Sequence, residues 1–373
     1  MRKLTIAALA IVVGVAVGVV PAYATNGYFS HGYGTHYKGM AGAGAALSLN
    51  TLAPATNPAA NAFLGSRYDL GLGIFKPSRS YSVTGNPTGP PNFGLTPGTF
   101  ESDSNTFFIP HLGANWEVGE NSAFGIAVYG NGGMNTSWPT EVYYAGNAGV
   151  DLSQMFVAPT FAVKLGESHG LGLTAIGALQ WFEATGVGSF APFSTDPANL
   201  SDNGKDYKLG GGFRFGYMGN LSPYFSLGGS YQTKIWMGKF EKYAGLFAEQ
   251  GGFDIPANWV IGIAIKPTEN FDIALDYQRV MYSDVPSIAN PLLPALGACM
   301  MMDASQCLGA DAGSGFGWQD MGTVKAGLQL RTESGWIWRA GYSYGEQPIP
   351  ESEMLFNILA PGVVERTRPT GLW

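Results

Sequence analysis

Three groups of residues in this chain have types and spacings that could do chemistry. Gly166-Glu167-Ser168-His169-Gly170 matches G-x-S-x-G, with a histidine beside the serine. A nucleophile elbow needs a strand before it and a helix after it, so that the serine stands clear of a sheet. Here strand-like alternation runs on both sides, and Ser168 and His169 read as residues of a tight hairpin turn. His31 and His36 lie close together, but no neighbouring carboxylate or cysteine completes a metal site. Cys299 and Cys307 sit in a segment of Gly, Ala and Asp, and in an oxidising compartment they read as a local disulfide that staples a loop. A catalytic or metal-binding thiol would need partners that the flanking sequence does not supply. With no phosphate loop, calcium loop or nucleotide fingerprint in view, the expectation is a protein that is not an enzyme and carries no cofactor.

The elements that would hold these residues begin with a leader. Arg2 and Lys3 precede an apolar run from Leu4 to Val20, and Ala22-Tyr23-Ala24 has the small-x-small form of a cleavage site, so residues 1–24 read as a secretory signal peptide. Losing Arg2 and Lys3 with the leader takes the formal charge from -7 to -9. An acidic chain of this kind speaks against nucleic acid as a partner. Only 13% of the residues are charged, against 13% aromatic and 54 glycines. That is about half the usual charged share, too little to cover a water-soluble surface. Beyond the leader no apolar run is long enough for a membrane helix. An exported, glycine- and aromatic-rich chain without such helices can still meet lipid as a closed β-barrel.

The dominant period is two. Phe271, Ile273, Leu275 and Tyr277 alternate with Asp272, Ala274, Asp276 and Gln278, and Tyr207, Leu209, Phe213 and Phe215 alternate with Lys208, Gly210 and Arg214. A soluble sandwich alternates too, but here the polar face is mostly small residues and the apolar face ends in aromatics, as in lipid-facing walls. Strands are expected near 69–84, 102–117, 121–133, 152–165, 170–186, 206–219, 222–236, 254–266, 270–283, 320–331 and 335–346, with a twelfth starting near 360. The connections alternate long and short, long at 134–151, 187–205, 237–253 and 284–319, which is the asymmetry of outer-membrane barrels. In this register Arg214, Lys325, Arg331 and Arg339 face the lumen. Residues 25–66, rich in glycine and then carrying the stretch 51–63 with Asn57-Pro58-Ala59, precede the first strand, and their place is the lumen, as a plug.

The glycine-rich GYGTHYKGMAGAGAA (32–46), Asn57-Pro58-Ala59, KYAGLFAEQGGFDIPANW (242–259) and ESEMLFNILAPGVVE (351–365) together resemble the FadL family of outer-membrane transporters for long-chain fatty acids and other hydrophobic compounds, over nearly the whole mature chain. The resemblance implies an all-β, transmembrane antiparallel barrel of fourteen strands, with residues 25–66 as an N-terminal hatch and residues 67–373 as the wall with long extracellular loops. It implies passive uptake of a hydrophobic ligand by a monomer in the lipid of a Gram-negative outer membrane. Long-chain fatty acids are the first expectation and aromatic hydrocarbons of the toluene type the alternative. A lipid hydrolase and a structural or adhesive barrel are the readings from other classes.

By the same resemblance, ligand lands in a groove between the third and fourth long loops, here carrying Phe190 and Phe193 in one and Phe240, Tyr243, Leu246 and Phe247 in the other. It passes an inner pocket, where Tyr28 and Phe29 are candidates, and leaves where the third strand is kinked. Gly130, Gly132 and Gly133 mark that kink, and Asn57, Pro58 and Ala59 would be the hatch motif beside it. Arg214 is the candidate partner of a ligand carboxylate. The departure is in length. About twelve strands fit before the ending Arg366-Thr367-Arg368-Pro369-Thr370-Gly371-Leu372-Trp373, which breaks the alternation, so a truncated chain is expected, a naturally smaller barrel being the alternative.

Overall fold

The computed structural model describes residues 25–86, 94–143 and 146–362. The leader at 1–24 and the ending at 366–373 lie outside the described residues, as does most of the twelfth strand expected near 360.

Alternating side chains build one antiparallel sheet, curled into a nearly closed barrel. Its wall runs in chain order through β3 (Arg67–Phe75), β6 (Phe107–Val118), β7 (Ser122–Glu141), β8 (Asn147–Leu165), β9 (His169–Thr185), β10 (Asp206–Ser222), β11 (Phe225–Gln232), β13 (Asn258–Thr268), β14 (Phe271–Val280), β15 (Met321–Arg331) and β16 (Ile337–Gly345). Two short strands precede it, β1 (Thr25–Asn26) and β2 (Phe29–Ser30), and β4 (Ser80–Val83) pairs with β5 (Gly98–Glu101) as a separate hairpin, while β12 (Trp236–Met237) lies on β10.

The outward positions are the apolar ones. Leu70, Leu72 and Ile74 of β3, Leu209 and Phe215 of β10 and Tyr342 of β16 are exposed, as lipid-facing residues must be. Inward positions are small or polar and are buried by residues 25–64. Asp276 accepts hydrogen bonds from the Gly44 and Ala45 amides at 2.8 and 2.9 Å, and Lys325 Nζ donates to the His31 carbonyl at 2.9 Å. Arg331 pairs with Asp272 at 2.5 Å, and Arg339 Nε donates to Gln329 at 2.7 Å.

Between the edge strands β3 and β16 no ladder forms among the described residues. The helix α1 (Gly34–Gly39) lies against both edges, with Gly39 against Arg339 and Lys38 Nζ beside Gly73. His36 on this helix bonds Asn50 Nδ2 at 2.9 Å, and burial, reinforced by the Arg339 charge, pushes it down to about 4. It is therefore neutral at ordinary pH, as an internal bonding group.

Three expected elements are corrected. The first strand stops at Phe75 instead of reaching 84, because residues 80–83 pair with β5 rather than extending the wall. The long connection at 134–151 is mostly strand: β7 and β8 stay paired out to Glu141 and Asn147. Its Asn, Ser and Thr read as loop, yet the ladder satisfies their backbone, and outward polar side chains are at home above the bilayer. Residues 351–357, followed by a described stretch that is not strand, form a turn and the helix α3 (Met354–Asn357), tied to the top of β7 by Thr136 Oγ1 donating to the Leu359 carbonyl at 2.6 Å.

Above the wall, the connection between β14 and β15 carries the helix α2 (Leu292–Met300) and a disulfide between Cys299 and Cys307. A loop this short contributes roughly 2–3 kcal/mol by restricting the unfolded chain. The double variant Cys299→Ser, Cys307→Ser is expected to keep a heat-modifiable barrel while residues 292–310 become several-fold more sensitive to protease. An unchanged digestion pattern would show the bond to be dispensable there.

Candidate functional site

The site is built from the wall's third strand and the N-terminal segment. The β6–β7 ladder ends at Leu112 opposite Val128, and above that point β7 runs on without β6. At the parting β7 is bulged: Gly130 pairs with Met155 and Gly132 with Gln154, leaving Asn131 extra. Asn131 is fully buried, donates to Gln154 Oε1 at 2.8 Å and accepts from the Tyr33 hydroxyl at 2.9 Å. The partner that β7 takes here is β2, with Phe29 opposite Gly132 and the Gly133 amide donating to the Tyr28 carbonyl at 2.9 Å. A side chain at 132 would overlap that carbonyl, which is why glycine is needed at this close approach.

Asn57-Pro58-Ala59 sits elsewhere. Asn57 Nδ2 donates to the Ala45 carbonyl at 2.7 Å and the Tyr217 carbonyl at 2.9 Å, while its Oδ1 accepts from the Ala59 amide at 3.1 Å. Pro58 and Ala59 lie on Gly172 of β9 and Gly216 of β10. It is Tyr28 and Phe29, not the Asn57 motif, that the fold brings to the bulge. The motif needs two inward glycines on adjacent strands, and β9 and β10 supply them.

The loop aromatics do not line an open external groove. Phe190, Phe240 and Tyr243 are fully buried, Phe247 and Leu246 nearly so, and Phe193 packs at their margin. Mutual burial of rings outweighs leaving them in water, so they close on one another. Phe182, inward at the top of β9, meets Phe240, Tyr243 and Phe247 at ring distances of 5.7, 4.9 and 4.6 Å. Phe247 meets Phe253 at 4.7 Å, and Phe253 meets Tyr28 at 6.4 Å. Tyr28 then touches Phe29, Tyr282 and Trp318 at 5.1, 5.4 and 6.0 Å. A continuous column of rings thus runs from the loops to the segment seated on the β7 bulge.

Phe182, Phe253, Tyr282 and Trp318 were not singled out from sequence. Phe182 had a usable signal, its inward parity at a strand end; the other three lie in irregular segments with no period.

Arg214 is 2% exposed and faces the lumen. Its Nη1 donates to the Thr56 carbonyl and Ser230 Oγ, both at 3.3 Å, and its Nη2 to Gln232 Oε1 at 2.5 Å and Asn258 Oδ1 at 3.5 Å. No carboxylate pairs with it among the described residues, and Arg214 Nε, Gln232 Nε2 and Asn258 Nδ2 have no acceptor. Asn258 pairs in register with Val280, two residues before Tyr282 of the ring column. The arrangement is a buried cation with surplus donors close to an aromatic path.

A cavity of 490 Å³ lies on the outer side of β7, β8 and β9, lined among others by Phe107, Asn135, Asp151, Trp181, Glu183 and Lys205. Lys205 bridges to Asp151 at 2.7 Å, and this hollow contains none of the expected groove residues. In the turn at 166–168, strands β8 and β9 flank Ser168, and His169 Nδ1 pairs with the Tyr217 hydroxyl at 2.7 Å.

A nearly closed antiparallel barrel with an apolar outer face defines a membrane-spanning β-barrel protein. Residues 20–359 match the family described as outer membrane protein transport protein (OMPP1/FadL/TodX), and the chain belongs to it. It is a hydrophobic-substrate channel of the Gram-negative outer membrane, not an enzyme. Similar solved structures include the CymD monoaromatic hydrocarbon channel (19% identity, 84% of each chain, TM-score 0.59). The toluene transporter TbuX of Ralstonia pickettii aligns at 17% identity over 85% of this chain and 87% of its own, TM-score 0.61. A FadL homologue of Pseudomonas aeruginosa aligns at 17% identity over 87% and 82%, TM-score 0.58. No curated protein matches.

Proposed function

We propose that the protein takes up long-chain fatty acids by passive diffusion, as a monomer in outer-membrane lipid, after export directed by residues 1–24. Residues 25–66 act as the hatch and 67–373 as the barrel with its loops. The rings of Phe190, Phe193, Phe240, Tyr243 and Phe247, with the Leu246 side chain, part to admit the ligand, Tyr28 and Phe29 meet it inside, and movement of β2 away from Gly130, Gly132 and Gly133 opens the side exit. Asn57, Pro58 and Ala59 anchor the hatch while this happens.

The observation that carries the fatty-acid reading is Arg214. A buried guanidinium without a carboxylate is costly unless something anionic meets it, and free donors on Gln232 and Asn258 add to what it can offer. Arg214→Gln is expected to weaken oleate binding to the purified protein about tenfold or more, in line with about 1.5–3 kcal/mol for a charged hydrogen bond. Toluene binding should not change. Equal loss of both ligands, or of neither, would remove Arg214 as the carboxylate partner.

The second reading, aromatic hydrocarbons, is favoured by the unbroken column of rings between the loops and Tyr28. Saturable toluene binding without oleate binding would decide for it.

A further inference from the structure

With the loop rings buried, little apolar surface is left on the outer cap. Among the described residues, the large apolar side chains exposed in the long connections are Trp236, which lies on β10, and Leu293, Met300, Met301, Met302 and Met354, the three consecutive methionines at 62%, 84% and 91%. Apart from Trp236 and Leu293 all are methionine. Leu293 and Met300 lie on α2, and Met354 opens α3, which Glu353 joins to the start of α2 by accepting from the Leu292 amide at 2.9 Å. Met301 and Met302 follow the helix inside the ring closed by Cys299 and Cys307, and Met302 has a φ of 73°, which lets the chain turn back.

From these residues we infer a methionine platform, formed by α2, the disulfide loop and α3, where the apolar body of an incoming ligand first adsorbs from water. The proposal rests on the transport reading. Methionine is unbranched and polarizable, and it suits surfaces that must accept many apolar shapes. Exposed apolar side chains gathered on one loop cost solubility and mark a binding surface.

The occupant follows from what lies beneath. On the same helix Leu292 and Leu296 are buried in the cluster that holds Phe190, Phe316 and Phe356, and the Cys299 end packs on the Phe193 carbonyl. The platform is thus continuous with the ring column and not a separate patch. From Leu293 to Met300 it spans roughly 10 Å at helical rise, enough to hold part of a long acyl chain or an alkyl aromatic. The loop from 281 to 320 carries Asp284, Asp303, Asp311 and Asp320 and no lysine or arginine. It offers a carboxylate no partner, so it reads the apolar body and leaves any head group in water.

The test compares initial uptake of radiolabelled oleate and toluene by intact cells making the full-length protein, its triple variant Met300→Gln, Met301→Gln, Met302→Gln, or the triple leucine variant. Heat-modifiable migration checks that each barrel is folded. The glutamine variant is expected to raise the apparent KM for both ligands about five- to tenfold with the maximal rate unchanged, and the leucine variant to behave as the native protein. An unchanged KM in the glutamine variant overturns the platform. So does equal loss in the leucine variant, which would mean that the sulfur atoms serve a soft metal ion. If the native protein itself takes up neither ligand, the transport reading fails, a different result from a native rate that glutamine does not alter.

Discussion

Replacing Gly172 by valine is expected to unseat the N-terminal segment while leaving the barrel folded. A Cβ at this position would overlap the Pro58 carbonyl carbon and the Ala59 nitrogen, with the Pro58 oxygen at 2.6 Å. These are backbone atoms and cannot swing aside. Gly216, on the next strand, is closed off in the same way by Asn57 and by Pro58 Cδ at 2.7 Å, so no sideways escape is open. Forced overpacking costs about 1–3 kcal/mol. Displacement also strains the two bonds of Asn57 Nδ2, one to the buried Ala45 carbonyl and one to the half-buried Tyr217 carbonyl, at about 1–3 kcal/mol for a buried group left unpaired.

The combined effect should exceed a hundredfold change in how often the segment leaves its seat, at about 1.4 kcal/mol per tenfold. Limited proteolysis of the folded protein reads this directly as cleavage within 25–66, and planar-bilayer recording as ion leak. Gly177→Val on the same strand is the control, since its side chain faces outward and meets only the Val157 carbonyl at 3.8 Å. Equal protection of the Gly172 variant and the control would overturn the seating of the hatch on β9 and β10.

Removing the Phe247 ring is expected to have the largest effect on ligand handling. Phe247 touches Phe182, Phe240 and Phe253 at 4.6, 6.0 and 4.7 Å, and so joins the loop rings to the part of the column that reaches Tyr28. Phe247→Ala should destabilise the loop cap by about 3–5 kcal/mol, seen as faster amide exchange in 240–253. If the rings are the route, ligand loses the same partner, at about 0.5–1.5 kcal/mol per ring contact, so oleate and toluene affinity should fall tenfold or more. Phe247→Leu should restore much of the packing but less of the affinity. A loosened cap with undiminished affinity would show that the column is packing alone and that ligand travels elsewhere.

Much of the fold was legible from period two, because a wall between lipid and a filled lumen imposes opposite demands on alternate residues. Phe215 and Arg214, adjacent in sequence, are exposed and buried as that rule requires. The same rule failed where the wall rises above the bilayer. At Asn135, Ser137, Asp151 and Ser153 the outward face turns polar while Met134, Trp138, Val150 and Leu152 pack inward, so the apolar face changes sides and the segment resembles a loop in sequence.

The site was less legible. Phe240, Tyr243, Leu246 and Phe247 form an amphipathic stripe, and a stripe says that one face is apolar without saying whether ligand or protein covers it. In the folded chain protein covers it, through Phe182 and Phe253. Arg214 could be placed inside the barrel but not beside Gln232 and Asn258, which come from two other strands.

Sequence by itself determined the class of molecule, the facing of the wall and the inward cation, since each follows from residue types along one strand and from what lipid and water accept. Tertiary structure decided which segment meets the bulge of β7, where the Asn57 motif is seated, and that the loop rings close into a column while methionines stay outside. Those are contacts between residues far apart in the chain, and close packing of bulky and absent side chains, with no local signature, selects them.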